Sequence, residues 1–408
     1  MMGQDNWLEH RLSELGEFRN GVNFTKDQKN SVEAQAFALI NVKDIIHSGR
    51  CIQFEKLDKV DLAGVKNVER YAVENNDLYF IRSSVKRDGI GWVSMAKRAC
   101  PDAVHCGFVI RFRLTSSKVL PLFLTYQLRS PLYRQMIINL SSGAAIINIS
   151  QDVLGTLQVK FPVRSVQQRI INVISAYDDL IENNTRRIRI LEEMAQTIYR
   201  EWFVHFRFPG HQKVRMVDSP LGKIPQGWEV GKLQDALLLQ RGFDLPIGQR
   251  RSGSVPIYAS TGVTGYHDEV RAKGPGVVTG RSGSLGAVLY VASDYWPLNT
   301  TLWVKEFRKV SPVFAYYLLK SLDLAGFNSG AAVPTLNRND VHGLPVVIPP
   351  TSMINSFNDM EQTLFDQMLI LKKKNDTLRQ TRDLLLPKLI SGEVDVSELD
   401  IENGVAAA

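Results

Sequence analysis

A chain of 408 residues is too long for one ordinary core and points to two or three domains. Its hydrophobic share of 44% and charged share of 22% are those of a globular protein, and no apolar run reaches the length of a membrane helix. The formal charge of +7 favours an anionic partner such as nucleic acid, and an odd set of 3 cysteines argues against a disulfide framework and for a cytoplasmic setting.

The stretch from Met1 to Arg11 is polar and lacks a signal-peptide pattern. From Trp7 onward the chain is written twice. Trp7, Leu12 and Gly21 recur at the same spacing as Trp228, Leu233 and Gly242. Pro121-x-Phe123-x-x-Tyr126-x-Leu128 recurs as Pro312-x-Phe314-x-x-Tyr317-x-Leu319. Ser142-Gly143-Ala144-Ala145 recurs as Ser329-Gly330-Ala331-Ala332, and Asp152-Val153-x-Gly155 as Asp340-Val341-x-Gly343. Ordered matches of this kind signal an internal duplication. The extra residues of the first copy fall chiefly between Gly21 and Leu78.

In the first copy Leu78–Ile81 reads as a strand running into Arg82, Ser83, Ser84, Val85, Lys86, Arg87, Asp88 and Gly89. Arginine can donate two hydrogen bonds to guanine, lysine reaches base edges or phosphate, and serine bonds to either. Arg82, Ser83, Ser84, Lys86 and Arg87 are therefore candidate DNA contacts. Residues 103–151 hold no Asp or Glu but include Arg111, a further candidate, although such bases also occur as snorkelling side chains of an apolar core. His105 lies beside Cys106, but the cysteine spacing is wrong for a zinc knuckle, so these read as packing residues.

After Pro162, Ser165 and Gln168 form a capping-box pattern. Apolar residues then alternate at intervals of four and three through Ile174, Tyr177, Ile181, Asn184, Ile188, Leu191 and Ile198, a coiled-coil seam that Pro209-Gly210 should end. A helix from Ser165 to Phe203 would be roughly 57 Å long.

The second copy brings Gln240-Arg241, Arg250-Arg251 and a strand at Val277-Val278-Thr279 leading into Gly280-Arg281-Ser282-Gly283-Ser284. Its candidate contacts are Arg241, Arg250, Arg251, Arg281, Ser282 and Ser284, and Tyr258 to Gly262 reads as a polar loop. A second seam runs through Leu371, Asn375, Leu378, Arg382 and Leu385, with Pro387 expected to kink or end that helix. In a duplicated, two-fold-related chain the two helices run antiparallel. That register sets Asn184 against Asn375, Tyr177 near Arg382 and Trp202 near Phe357.

The resulting architecture is α+β. Two similar globular α/β domains (1–162 and 209–350) are joined and separated by two long antiparallel coiled-coil helices (163–208 and 351–392). A pseudo-two-fold repeat relates the halves, and an acidic, disordered tail follows (393–408). Enzyme signatures are missing: no P-loop, no dinucleotide fingerprint, no amino-methyltransferase motif and no His-Glu-x-x-His.

The segment Ile198-Tyr199-Arg200-Glu201-Trp202-Phe203-Val204-His205-Phe206-Arg207-Phe208-Pro209-Gly210-His211 resembles the central boundary of type I restriction enzyme specificity subunits. Pro220 to Val230 resembles their entry into a second recognition domain, and Leu384 to Val394 their distal segment. The resemblance implies a non-catalytic subunit whose two target recognition domains each read one half of a bipartite, asymmetric site in double-stranded DNA. It implies docking of two methyltransferase subunits and of an ATP-dependent translocase-endonuclease. S-adenosylmethionine, ATP and Mg would belong to those partners, with no cofactor or metal on this chain and no membrane contact. Tyr199, Trp202, Phe203, Phe206, Leu384, Leu386 and Lys388 become candidate partner-subunit contacts at one end of the helices. The alternatives are the separate specificity subunit of a fused, type IIB-like restriction-methylation enzyme, a stand-alone methyltransferase or nuclease, and a coiled-coil scaffold that never touches DNA.

Overall fold

The computed structural model describes residues 7–29, 36–46, 49–63, 65–143, 146–328 and 334–397. The chain separates into two units, residues 1–183 with 374–408, and residues 184–373. Both divisions fall inside the long helices Arg164–Tyr199 and Thr351–Ser391. The helices are therefore not regions of their own, as the sequence division had it. Each unit is a head plus a segment of both helices. Burial is the reason: Ile170, Ile174, Leu386, Leu389 and Ile390 belong to the first head's core, and Ala195, Tyr199, Phe357, Phe365 and Met368 to the second's. None of the helices in the described residues is long and apolar enough to cross a membrane.

In the first unit Leu8–Arg11 pairs antiparallel with Gln158–Phe161. A four-stranded antiparallel sheet follows the order Gly16–Asn20, Val109–Leu114, Leu78–Ile81, Val93–Met95. A three-stranded sheet has Phe37–Ile40 in the middle, antiparallel to Asp58–Val60 and parallel to Ala103–His105. The second unit repeats this plan. Glu229–Lys232 pairs with Pro345–Ile348, and the four-stranded order is Leu237–Arg241, Thr301–Phe307, Gly276–Gly280, Val288–Val291. Val255–Ala259 lies between Gly262–His267, antiparallel, and Trp296–Pro297, parallel.

The repeated motifs now have physical causes. A Cβ on Gly21 would lie 2.0 Å from the Cys106 carbonyl oxygen, and one on Gly242 would lie 2.2 Å from that of Leu298, so only glycine permits the strand crossing in either copy. Pro121 and Pro312 occupy the first turn of equivalent helices, where a missing N–H costs nothing, and Phe123, Tyr126, Phe314 and Tyr317 are buried beneath them. Ser150 and Asn337 cap the short helices Gln151–Gly155 and Arg338–His342. The extra residues of the first copy build the helix Val42–Ile46 and two 3-10 turns, whereas the second copy turns back at once as a β-hairpin. Tyr258 to Gly262 is the tip of that hairpin and not an open loop. Ala144, Ala145 and Ser329 to Ala332 lie outside the described residues.

The helices run antiparallel within each unit. Asp178 meets Arg382 at 2.6 Å and Ile181 meets Asn375 at 3.3 Å, so the numbers fall on one helix as they rise on the other. In the second unit Glu192 approaches Lys372 at 3.5 Å, and Trp202 packs on Phe357 with ring centroids 6.1 Å apart, as the register required. Ile174, Leu371 and Asn375 are buried. Tyr177, Ile181, Asn184, Ile188, Leu191, Ile198, Leu378, Arg382 and Leu385 are partly buried, as a seam should be. Asn375 donates to the Ile181 carbonyl, and Asn184, its expected counterpart, belongs to the other unit. Arg382 engages Asp178, the neighbour of the expected Tyr177.

Helix ends differ from expectation. The first helix begins at Arg164, so Ser165 is no cap, and Gln168 bonds to Asn172 instead. The work falls to the fully buried Gln167, whose amide takes the Leu120 N–H at 2.7 Å and gives hydrogen bonds to the Pro162 and Lys118 carbonyls. The helix closes in a π-helical turn, Arg200–Val204, before Pro209 is reached. Pro387 does not end the second helix, which runs to Ser391. Leu389 and Ile390 are buried, and their packing outweighs the lost N–H. The tail is anchored at its start: Lys388 pairs with Glu393 at 3.0 Å, and Val396 is 2% exposed in the first core. Residues 398–408 lie outside the described residues.

Candidate nucleic-acid interface

Both four-stranded sheets deliver an arginine at the end of their third strand, and both hold it in the same frame. The Arg82 backbone N–H donates to the Phe108 carbonyl at 2.8 Å, and that of Arg281 to the Thr300 carbonyl at 2.9 Å. The Arg82 carbonyl accepts from Ile149 N–H at 3.0 Å, and that of Arg281 from Leu336 N–H at 2.8 Å. Each guanidinium spends one N–H on a carbonyl 3.3 Å away, Gly107 for Arg82 and Asn299 for Arg281. Each side chain is thereby aimed while most of its donors stay available. The duplication thus extends to the position and orientation of one cation per head.

Around this shared residue the heads diverge. In the first, Ser83–Ser84 pairs with Ile147–Asn148, and the Ser83 hydroxyl bonds to Asn148 Oδ1 at 2.5 Å. Lys86 and Arg87 are exposed at the tip. Val85, Phe108 and Ile146 are 78%, 62% and 55% exposed beside them, an apolar patch that sequence reasoning missed. The patch lies next to the cations because Ser84 pairs with Ile147 and Arg82 bonds to Phe108. In the second head, Ser282 bridges to Thr335, and Ser284 is exposed in the turn. Arg241 and Arg281 line one cavity of about 450 Å³ together with Arg338, which the sequence reading did not select. Its only sequence signal was its place directly after the Asn337 cap.

Other candidates are engaged by groups of the fold itself. Arg111 is 5% exposed and donates to the Arg70 and Ala72 carbonyls, so it cannot reach DNA. Three further arginines of the acid-free window behave alike. Arg113 pairs with Asp77 at 2.7 Å, while Arg129 and Arg134 sit over the Trp92 ring at 4.7 and 4.5 Å. The missing carboxylate came from outside the window. Burial lowers the pKa of both Arg129 and Arg134 to about 10. Burial also lowers His105 to about 4, keeping it neutral against the Arg19 carbonyl. In the second head Arg251 is met by Asp268 at 2.7 Å, and Arg250 donates to the Thr264 carbonyl at 3.2 Å.

The proposed partner-subunit contacts also change. Tyr199, Trp202 and Phe203 are 4%, 8% and 7% exposed and stack with Phe314, Tyr317, Trp228 and Phe357, so they are core residues of the second unit. Phe206 packs edge-on against Trp228 at 5.4 Å. Leu386 is buried in the first unit's core. Leu384, 69% exposed, and Lys388, half exposed, still face solvent. Tyr199 to Phe206 and Leu384 to Lys388 fall in different units.

Residues 4–193 match the model of the type I restriction modification DNA specificity domain. The chain is 26% identical over 366 residues to the type I restriction enzyme MjaIX specificity subunit of Methanocaldococcus jannaschii, covering 82% of this chain and 83% of that one. It is 24% identical to the HindI specificity subunit of Haemophilus influenzae over 64% of this chain and 74% of the relative. Among solved structures, the S subunit of a type I restriction-modification system from M. genitalium matches with a TM-score of 0.58 at 18% identity, covering 95% of this chain and 97% of that one.

Proposed function

We propose, from the premise that this chain belongs to the type I restriction-modification specificity subunits, that each head reads a different half of a bipartite, asymmetric site in double-stranded DNA. The observation that carries the reading is the pair Arg82 and Arg281, one aimed cation in the same hydrogen-bond frame of each head, with different neighbours around it. A common frame with unlike surroundings is what two unlike half-sites require. As a specificity subunit the chain is the non-catalytic, DNA-recognising member of its complex, and the fused-enzyme alternative is not favoured. The chain passes from one unit to the other only through the two long helices. Their length would set the number of unspecified base pairs between the half-sites. The complex brings methyltransferase and restriction subunits to this chain. In this reading two methyltransferase subunits supply S-adenosylmethionine, an ATP- and Mg-dependent translocase-endonuclease joins them, and the assembly works in the cytoplasm.

The test is methylome sequencing of cells carrying the native gene or a variant with residues 211–349 exchanged for those of another family member. One half-site should change and the other should stay. Inserting whole helical turns between Asn183 and Arg187 should lengthen only the spacer. Alteration of both half-sites by the exchange would refute modular reading.

A further inference from the structure

The second head contains a concavity lined by arginines. Three arginines from three elements line it: Arg241 at the end of Leu237–Arg241, Arg281 just after Gly276–Gly280, and Arg338 at the start of Arg338–His342. Leu302 and Leu336 form its floor, Thr335 and Asn337 add polar atoms, and the lining includes no carboxylate. Arg281 is fixed by its bond to the Asn299 carbonyl. Arg241 has Asp244 at 3.7 Å, beyond hydrogen-bond range, and the Asp244 carboxylate already accepts from the Asn299 amide. Three like charges around one hollow repel one another; Asp244 offsets that of Arg241 in part, and an anion in the hollow would relieve the rest.

The shared backbone frame identifies the corresponding place in the first head. Gly21 matches Gly242, and the Arg82–Ile149 bond matches Arg281–Leu336. Asn20 therefore stands for Arg241, Arg82 for Arg281 and Gln151 for Arg338. Of these three positions only Arg82 carries a guanidinium, where the second head has three, and Asn20 Oδ1 is buried with no hydrogen-bond partner among the described residues.

We infer that the Arg241–Arg281–Arg338 hollow seats a phosphate group of the DNA backbone, so that the second head holds the duplex electrostatically more firmly than the first. The inference rests on the reading of this chain as a DNA-recognition subunit and adds which head supplies the grip and through which residues. Guanidinium forks match phosphate oxygens in pairs, and the apolar floor lowers the local dielectric, which strengthens each contact. Such contacts position the duplex without choosing its sequence.

The experiment uses the full chain assembled with its methyltransferase subunits. Binding to cognate and to scrambled duplexes is titrated against salt for the native chain, for R241Q/R338Q and for a Lys305→Gln surface control. For each phosphate that is no longer neutralised, the slope of log K against log salt should shrink by about 0.9. Affinity at low salt should fall several-fold, equally on both duplexes, with Lys305→Gln unchanged. An unchanged slope, with native DNA binding intact, would overturn the phosphate seat and leave the recognition reading standing. A changed base preference at constant slope would overturn it too, since the arginines would then be reading bases. Calorimetry with inorganic phosphate separates the two sources of the anion: millimolar phosphate binding that disappears in R241Q/R338Q, with DNA slopes equal, would assign the hollow to a free phosphate. Absence of DNA binding by the native complex at any salt would sink the recognition reading itself.

Discussion

Tyr126 and Tyr317 occupy the same place in the two heads, yet their hydroxyls meet different partners. Tyr126 donates to Asp178 at 2.8 Å, and Asp178 also binds Arg50 and Arg382, each at 2.6 Å, while Arg50 reaches Asp179 at 2.5 Å. Burial raises the pKa of Asp178, but the two guanidinium groups and the hydrogen bonds outweigh it and hold the carboxyl below its ordinary value. Tyr317 donates to Glu361 at 3.0 Å; that carboxylate is fully buried, and its other oxygen has no partner among the described residues. Burial, eased only slightly by the Tyr317 hydroxyl, pushes Glu361 up to about 7. One framework has thus solved the same polar problem twice, once with compensated charges and once with a buried acid that holds its proton up to about pH 7.

The sharpest way to break this contrast is Asp178→Ala. It would take the shared carboxylate from two arginines whose side chains are 11% and 27% exposed, leaving Arg50 only Asp179 and Arg382 only Asp383 among the described residues. Denaturant unfolding should show the first unit losing about 1.5–3 kcal/mol. A loss well below that range would mean that solvent already screens the cluster and that the two heads are electrically alike.

The pH dependence should have opposite signs in the two units. Glu361 has a raised pKa in the folded chain, so its contribution is full below the unfolded value of 4.5 and is lost as pH rises through about 7. Asp178 has a lowered one, so its contribution is present above 3.8 and is lost as pH falls through the folded value. Glu361→Gln should therefore stabilise the second unit by up to about 3 kcal/mol at pH 8 and by little at pH 4.5. A stability gain independent of pH would show that ionisation is not what the substitution removes.

Gly21→Ala and Gly242→Ala probe what the heads share. Both place a methyl group against backbone, which cannot move aside as a side chain can. Each should cost about 2 kcal/mol in its own unit, read by the same unfolding curves. Strongly unequal costs would mean that the strand crossings are less alike than the backbone suggests.

Much of the fold could be read from residue order. The paired glycines, the Pro-x-Phe-x-x-Tyr helices and the four-three seams follow from local sterics and periodicity, which leave marks at fixed spacings. The cation at the exit of each third strand was also legible, because strand and loop are contiguous. Arg111 was misjudged because its partners, the Arg70 and Ala72 carbonyls, lie far back in the chain. Tyr199, Trp202 and Phe203 were misjudged because amphipathic aromatics look the same whether they cover a head or face a partner.

Duplication, helix register and the supply of basic side chains were set by the amino-acid order alone, since each depends on repeated spacing or on counts. Which arginines remain free to meet an anion was decided only in three dimensions. Neutralisation and burial come from groups distant in the chain, and a concavity such as that of Arg241, Arg281 and Arg338 exists only once strands and a helix from separate segments have packed.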